Sequence, residues 1–370
     1  MEKVEQCRNG SVFGKRESQA LKGVAILLML LHHCFRSTIL FDGYAVSFFP
    51  FREQMIVNIA LASKICVSMF AFVSGYGLFL SYREEELPAS KWVLKRYISS
   101  FSGFWFIWGL SAVVCQLINR RFQTIFFQNG FWRGLMEASI DFIGGAKLFE
   151  TASLNGTWWY MSAALVFILA FPVLYRLRDN LWLVLAASIV FLRVIFGGNG
   201  NEVFTGDNSV YAFLSPLIIG AAFARYQMLD RWVRFGTKKS WGKAVKCVVE
   251  CACILGLYKM YLYLPISYFW EFHWGFVPTA VILFCVEYVL NILGLRDVLA
   301  FLGKHSMNIF LVHTFIRSYY LADFTYSRGH FAWILLALLA ISLAISFVVE
   351  GFKKLLRYDG FIRIVTAKIK

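Results

Sequence analysis

The chain has 370 residues, 59% hydrophobic and 16% charged, with 38 phenylalanines and a formal net charge of +15. That balance excludes an ordinary soluble domain, where the apolar share is about 45–50%. The basic residues lie beside apolar stretches and no soluble portion is large enough to carry a basic groove, so no nucleic acid partner is expected.

Apolar runs long enough to cross a hydrocarbon core of about 30 Å recur along the whole sequence. The first 19 residues are polar and lack the apolar region of a cleavable signal peptide; they read as a cytoplasmic segment, 1–19. Ten spans are predicted, centred on residues 20–40, 57–82, 92–118, 157–177, 181–196, 210–228, 245–264, 273–294, 305–323 and 331–352. The predicted fold is therefore all-α and polytopic, with a transmembrane portion over 20–354 and a basic tail over 355–370. Barrel strands would be shorter and would alternate. Residues 119–155 are too polar to cross and too aromatic for a free loop, and they read as an amphipathic interfacial piece between spans 3 and 4.

Of the 37 lysines and arginines, 26 fall on the side of this arrangement that holds both termini, ten on the other, and Lys64 lies inside a span. The positive-inside rule then makes both termini cytoplasmic. Most of the eight cysteines lie within apolar spans, and "CVVECAC" lacks the paired spacing of a zinc site, so no metal is expected.

The first span, "ALKGVAILLMLLHHCF", carries polar groups that must find partners. Lys22 and His33 are eleven residues apart, which returns to within about 20° of the same helix face and about 16 Å along the axis. His32 is turned by about 100° from that stripe. An imidazole there is suited to taking a proton from a hydroxyl and returning it, or it simply joins two helices by a hydrogen bond. "FVSGYGLF" closes the second span, where Ser74 and Gly75 allow close backbone approach to a ligand or a neighbouring helix. "KWVLKRYISSF" opens the third with Lys95 and Arg96, a phosphate-binding patch or a topology signal.

"NGTWWYMSAAL" enters the fourth span with Asn155, Trp158 and Trp159, residue types that hold carbohydrate by stacking and hydrogen bonding and that also anchor helices at an interface. In "FLGKHSMNIFLVHTFIR", His313 lies about 12 Å into the ninth span, at a depth comparable with His33, and His305 reads as a solvated rim residue. Lys64, Glu250, Glu287 and Glu350 are further ionisable groups in or near spans, with partners the sequence does not name.

Taken together, Lys22 eleven positions before His33, "FVSGY", "KRYISSF", "NGTWWY" and "LGKHSMNIFLVH", in that order, resemble the acyltransferase-3 family of bacterial membrane O-acyltransferases, over about residues 18–318. The resemblance implies transfer of an acyl group, usually acetyl from cytoplasmic acetyl-CoA, to a sugar hydroxyl of a lipid-linked or extracytoplasmic glycan at the bacterial inner membrane. It makes His33 the essential histidine and Lys22 its partner in the place of an arginine. Lys95 and Arg96 match the basic pair, and Ser74 and Gly75 the small-residue motif, both on the donor side. Ser306 and His313 match the late motif, and with Asn155, Trp158 and Trp159 they are expected on the acceptor side. Ser99 and Ser68 stand where the family commonly has a further arginine and an acid. The partners expected are the glycan acceptor and membrane lipid. A transporter or flippase of a glycan lipid is the alternative reading, because intramembrane cations and histidines also serve permeation and proton relay.

Overall fold

A computed structural model describes residues 12–82, 87–195, 210–236 and 240–369. Lys3, Arg8, Arg83, Lys238, Lys239 and Lys370 of the charge count therefore lie outside the described residues. The regular structure is helical throughout, as expected. In chain order the helices are α1 (Lys15–Phe35), α2 (Glu53–Ala62), α3 (Ile65–Ser81), α4 (Ala89–Asn119), α5 (Arg121–Phe126), α6 (Phe131–Phe142), α7 (Trp159–Arg176), α8 (Leu181–Ile195) and α9 (Leu214–Arg225). They continue with α10 (Met228–Arg234), α11 (Ser240–Tyr263), α12 (Ile266–Glu271), α13 (Val277–Glu287), α14 (Leu295–Lys304), α15 (Ser306–Thr314), α16 (Ala322–Tyr326), α17 (Phe331–Leu355) and α18 (Tyr358–Ala367).

Among the described residues, six stretches are long and apolar enough to cross a membrane: Lys15–Phe35, Glu53–Ser81, Ala89–Asn119, Gly156–Arg176, Phe269–Asn291 and Phe331–Leu355. A seventh is α9 with α10, bent by 69°. The protein is thus a multi-pass membrane protein. The other three expected spans are helical but differ from a simple crossing. Helix α8 has 15 residues, α11 carries Lys243, Lys246, Glu250 and Lys259, and α15 has nine residues before the chain enters a π-helical turn, Phe315–Tyr320. The first span begins five residues earlier than the apolar run suggests. Glu17 reaches back to the Gly14 N–H at 3.0 Å, which satisfies a donor that the helix start leaves open.

The chain divides into two compact units. Unit 1 comprises residues 1–81 and 173–306. Its packing rests on glycines that let backbones touch. A Cβ on Gly23 of α1 would run into the Leu299 carbonyl of α14, and one on Gly303 of α14 into the Gln19 carbonyl of α1. A second pair repeats this: Gly75 of α3 lies against the Leu217 carbonyl of α9, and Gly220 of α9 against the Phe72 carbonyl of α3. Small residues at crossings are how membrane helices gain contact area where the hydrophobic effect offers little.

Unit 1 also supplies partners for three of the unassigned ions. Lys64, at the α2–α3 break, has its ammonium 5.5 Å from the Trp274 ring centre. The Lys246 ammonium meets Glu287 at 2.6 Å and Glu250 at 3.8 Å, and it donates to the Trp232 carbonyl at 2.5 Å.

Unit 2 comprises residues 82–172 and 307–370. Helix α4, 31 residues long, is its longest element and stops at Arg120, whose left-handed φ of 55° turns the chain into α5. Glu350 of α17 accepts from Lys353 at 2.9 Å and from Asn308 at 2.8 Å, which accounts for the fourth unassigned ion.

Outside the spanning helices, Asp141 at the end of α6 is buried. One of its oxygens accepts from Trp108 Nε1 at 2.8 Å and from the Leu154 N–H at 3.1 Å. Burial raises its carboxyl above the ordinary value of 3.8, against the lowering effect of hydrogen bonds from Ser153, Leu154 and Trp108. The folded form therefore holds its proton more tightly than the unfolded one. The stability gained by that proton is fully present below the unfolded value and is lost as pH rises through the folded value. Asp141→Asn keeps an oxygen for both donors, so its thermal midpoint should lose this part of the pH dependence and exceed that of the wild type near neutrality. Parallel pH titrations of the two melting curves would reject this reading of Asp141.

Candidate active site

In unit 1 the adjacent histidines of α1 have different employment. His32 is buried, and its Nδ1 lies 2.9 Å from the Ala60 carbonyl. A carbonyl only accepts, so Nδ1 carries the hydrogen and His32 ties α1 to α2. His33 is half-buried, and its ring stands edge-on to that of His32 with centroids 5.2 Å apart. Lys22, also half-buried, lies two turns in from the helix start on the His33 stripe.

The structure makes Gly75 a helix-crossing residue, with Ser74 beside it half-buried. Ser306 is buried at the start of α15. Its neighbour His305, expected in solvent, is also buried, with its ring 5.1 Å from that of Phe301. It follows α14 directly, with the Phe301 ring four residues earlier against one side of it.

In unit 2, Lys95 and Arg96 are half-buried in the second turn of α4, and among the described residues neither makes a hydrogen bond or an ion pair. The Arg96 Nε is buried without a partner. Ser99, in the place of a possible further cation, donates to the Arg96 carbonyl at 3.0 Å. Charged groups that lack an internal partner can bind a charged ligand from outside.

Asn155, Trp158 and His313 come together. Trp158 Nε1 donates to the Leu311 carbonyl at 3.0 Å, and Asn155 Nδ2 to the same oxygen at 3.4 Å. The Asn155 amide oxygen accepts from the Thr157 N–H at 3.1 Å and hydroxyl at 2.9 Å, capping the turn before α7. The Thr157 hydroxyl lies 3.1 Å from that of Thr314, which lies 3.1 Å from His313 Nε2. His313 Nδ1 donates to the Phe310 carbonyl at 2.7 Å, leaving Nε2 as the acceptor of the neutral ring.

Trp158 packs against Phe104 and Phe315, with centroids 5.3 and 5.8 Å away, so Asn155 and Trp158 are engaged by the protein itself. Trp159, half-buried, keeps more of its ring open. The basic pair is not part of this cluster: Arg96 is about 12 Å along α4 from Phe104.

Sequence reasoning did not find Thr157, Thr314 or Arg317. Arg317 sits in the π turn one turn beyond His313, and its Nε is buried without a hydrogen bond. π-Helical turns occur frequently at functional sites, but no simple sequence pattern announces one. The threonines had only the adjacency of "VHT" and "NGT" to mark them.

No curated protein and no solved structure matches the chain. A family description, acyltransferase domain, matches residues 16–351. That range takes in both halves of the first-span stripe, the basic pair, the Asn155–His313 cluster, four of the six spanning stretches whole and nearly all of the first and last, and the protein belongs to the acyltransferase-3 family of membrane acyltransferases.

Proposed function

We propose that the protein transfers an acetyl group from cytoplasmic acetyl-CoA to a sugar hydroxyl of a cell-surface or lipid-linked polysaccharide, in a bacterial cytoplasmic membrane with both termini inside. The observation that carries the donor side is the pair Lys95 and Arg96, two adjacent cations on a membrane-crossing helix that no acid of the described residues neutralises. They receive the phosphates of the donor, as guanidinium and ammonium groups do. Lys22 adds a third cation on the donor side.

His33 takes the proton of the acceptor hydroxyl. The alkoxide oxygen attacks the thioester carbonyl, the carbon–sulfur bond breaks, and the proton passes to the departing thiolate. His33 as a transient acyl carrier would use the same ring and the same leaving group. The acceptor is assigned to Trp159, which stacks on a sugar, and to the His313 cluster, with Asn155, Trp158 and Ser306 as positioning residues. Gly75, with Ser74 beside it, keeps the second span close-packed against α9.

Purified protein given acetyl-CoA should release free thiol without an ion gradient. Surface polysaccharide made with the protein should be heavier by one acyl unit per repeat in mass spectra. Replacing both Lys95 and Arg96 by glutamine should raise KM for acetyl-CoA about 100-fold or more, with a much smaller change in kcat, since each charge-assisted hydrogen bond contributes about 1.5–3 kcal/mol. An unchanged KM would reject the donor-site assignment. Glycan-lipid translocation without any thiol release would favour a transporter.

A further inference from the structure

Helix α18 follows the membrane-crossing α17 after only two residues, with a left-handed turn at Arg357 (φ 52°). That short link holds α18 at the level where α17 leaves the hydrocarbon. The helix has three sectors. Tyr358, Ile362 and Val365, spaced i, i+4, i+7, form its half-buried face; the Tyr358 hydroxyl donates to the Ser102 carbonyl of α4 at 2.9 Å and its ring lies 5.0 Å from that of Phe106. Asp359 and Arg363 are exposed on the opposite side.

Between them a third sector exposes Phe361 and Ile364, each 60% accessible, in line with Lys368 at the end of the helix, while the exposed Arg357 stands at its start. The cations Lys354, Arg357, Arg363 and Lys368 make no ion pair among the described residues, and Asp359 is the one acid of α18. By contrast Lys353, one residue away, is buried and committed to Glu350.

Two apolar side chains flanked by unneutralised cations, tethered at the membrane surface, match one partner in chemistry and in depth. We propose that this sector of α18 is a docking surface for anionic phospholipid, in which Phe361 and Ile364 enter the upper acyl region and Arg357 and Lys368 hold lipid phosphates. Long basic side chains reach outwards from such a depth to the headgroups, and an anionic surface attracts each by about 1 kcal/mol, roughly fivefold in affinity.

The test uses the full chain carrying Phe361→Trp in lipid nanodiscs of phosphatidylcholine, with and without phosphatidylglycerol. Brominated lipids should quench the new indole at a depth just below the headgroups, and brominated phosphatidylglycerol should quench it several-fold more than the choline lipid at equal mole fraction. Adding Arg357→Gln and Lys368→Gln together should remove that preference. The thermal midpoint should stay unchanged, because both positions are exposed. Three results would each overturn the proposal: no quenching by either lipid; equal quenching by both lipids with no effect of the charge changes; or efficient cross-linking between two copies carrying Phe361→Cys, which would make the sector a contact between protomers.

Discussion

His33→Ala is expected to lower acetyl-CoA-dependent thiol release by about 10²- to 10⁴-fold, the range lost when a general base is removed, with little change in thermal midpoint. His32→Ala, one position away, should do the reverse. Its ring ties α1 to the Ala60 carbonyl, so the substitution leaves a buried acceptor without a donor and costs about 1–3 kcal/mol, while the chemical step proceeds near the wild-type rate in the protein that remains folded. Two adjacent residues of one type thus provide their own control. Equal loss of activity in both variants, with equal loss of stability, would mean that the pair acts only through folding. Rapid quenching separates the two catalytic uses of His33: a labelled acyl group retained on the protein marks the carrier, and its absence during turnover marks the base.

The second large effect is on assembly. Gly23→Ala and Gly303→Ala each place a methyl group into backbone of the facing helix, where no side chain can rotate away. Overpacking of this kind costs typically 1–3 kcal/mol and more when only backbone can yield. Each variant should therefore lower the thermal midpoint in detergent sharply, and the double variant should fail to accumulate as folded protein. Gly77→Ala is the matched control. It lies in α3 with nothing within 4 Å of the added methyl, and it should be neutral or slightly stabilising through helix propensity, by about 0.5–1 kcal/mol. A normal midpoint for Gly23→Ala would show that α1 and α14 are not held at this spacing.

Much of the candidate site was legible because its signals are local. The Lys22–His33 stripe follows from helical periodicity alone, and the basic pair and the "NGTWWY" turn are visible as short strings whose order along the chain carries the family resemblance. What periodicity does not contain is who meets whom. Gly75 reads equally well as a ligand contact or a helix crossing until Leu217, 142 positions later in the sequence, is seen against it. His305 looks like a rim residue until the fold buries it. Hydropathy, from which ten spans are expected, measures greasiness per residue; among the described residues six or seven stretches are long and apolar enough to cross, α8 being short and α11 keeping four ions, of which Lys246 and Glu250 answer each other together with Glu287.

The sequence by itself determined that this is a helical multi-pass membrane acyltransferase, and which histidine, lysine and basic pair to test, because composition, helical period and motif order are properties of neighbours along a chain. Only the tertiary structure decided that His32 belongs to the scaffold, that Trp158 and Asn155 share the Leu311 carbonyl, that Thr157 and Thr314 connect them to His313, and that Glu350 answers Lys353 and Asn308. Those are hydrogen bonds and ion pairs, many of them between residues tens to more than a hundred positions apart. In a medium without water each polar group must be satisfied by whichever partner the packing brings within reach, and packing is settled only when the whole chain has folded.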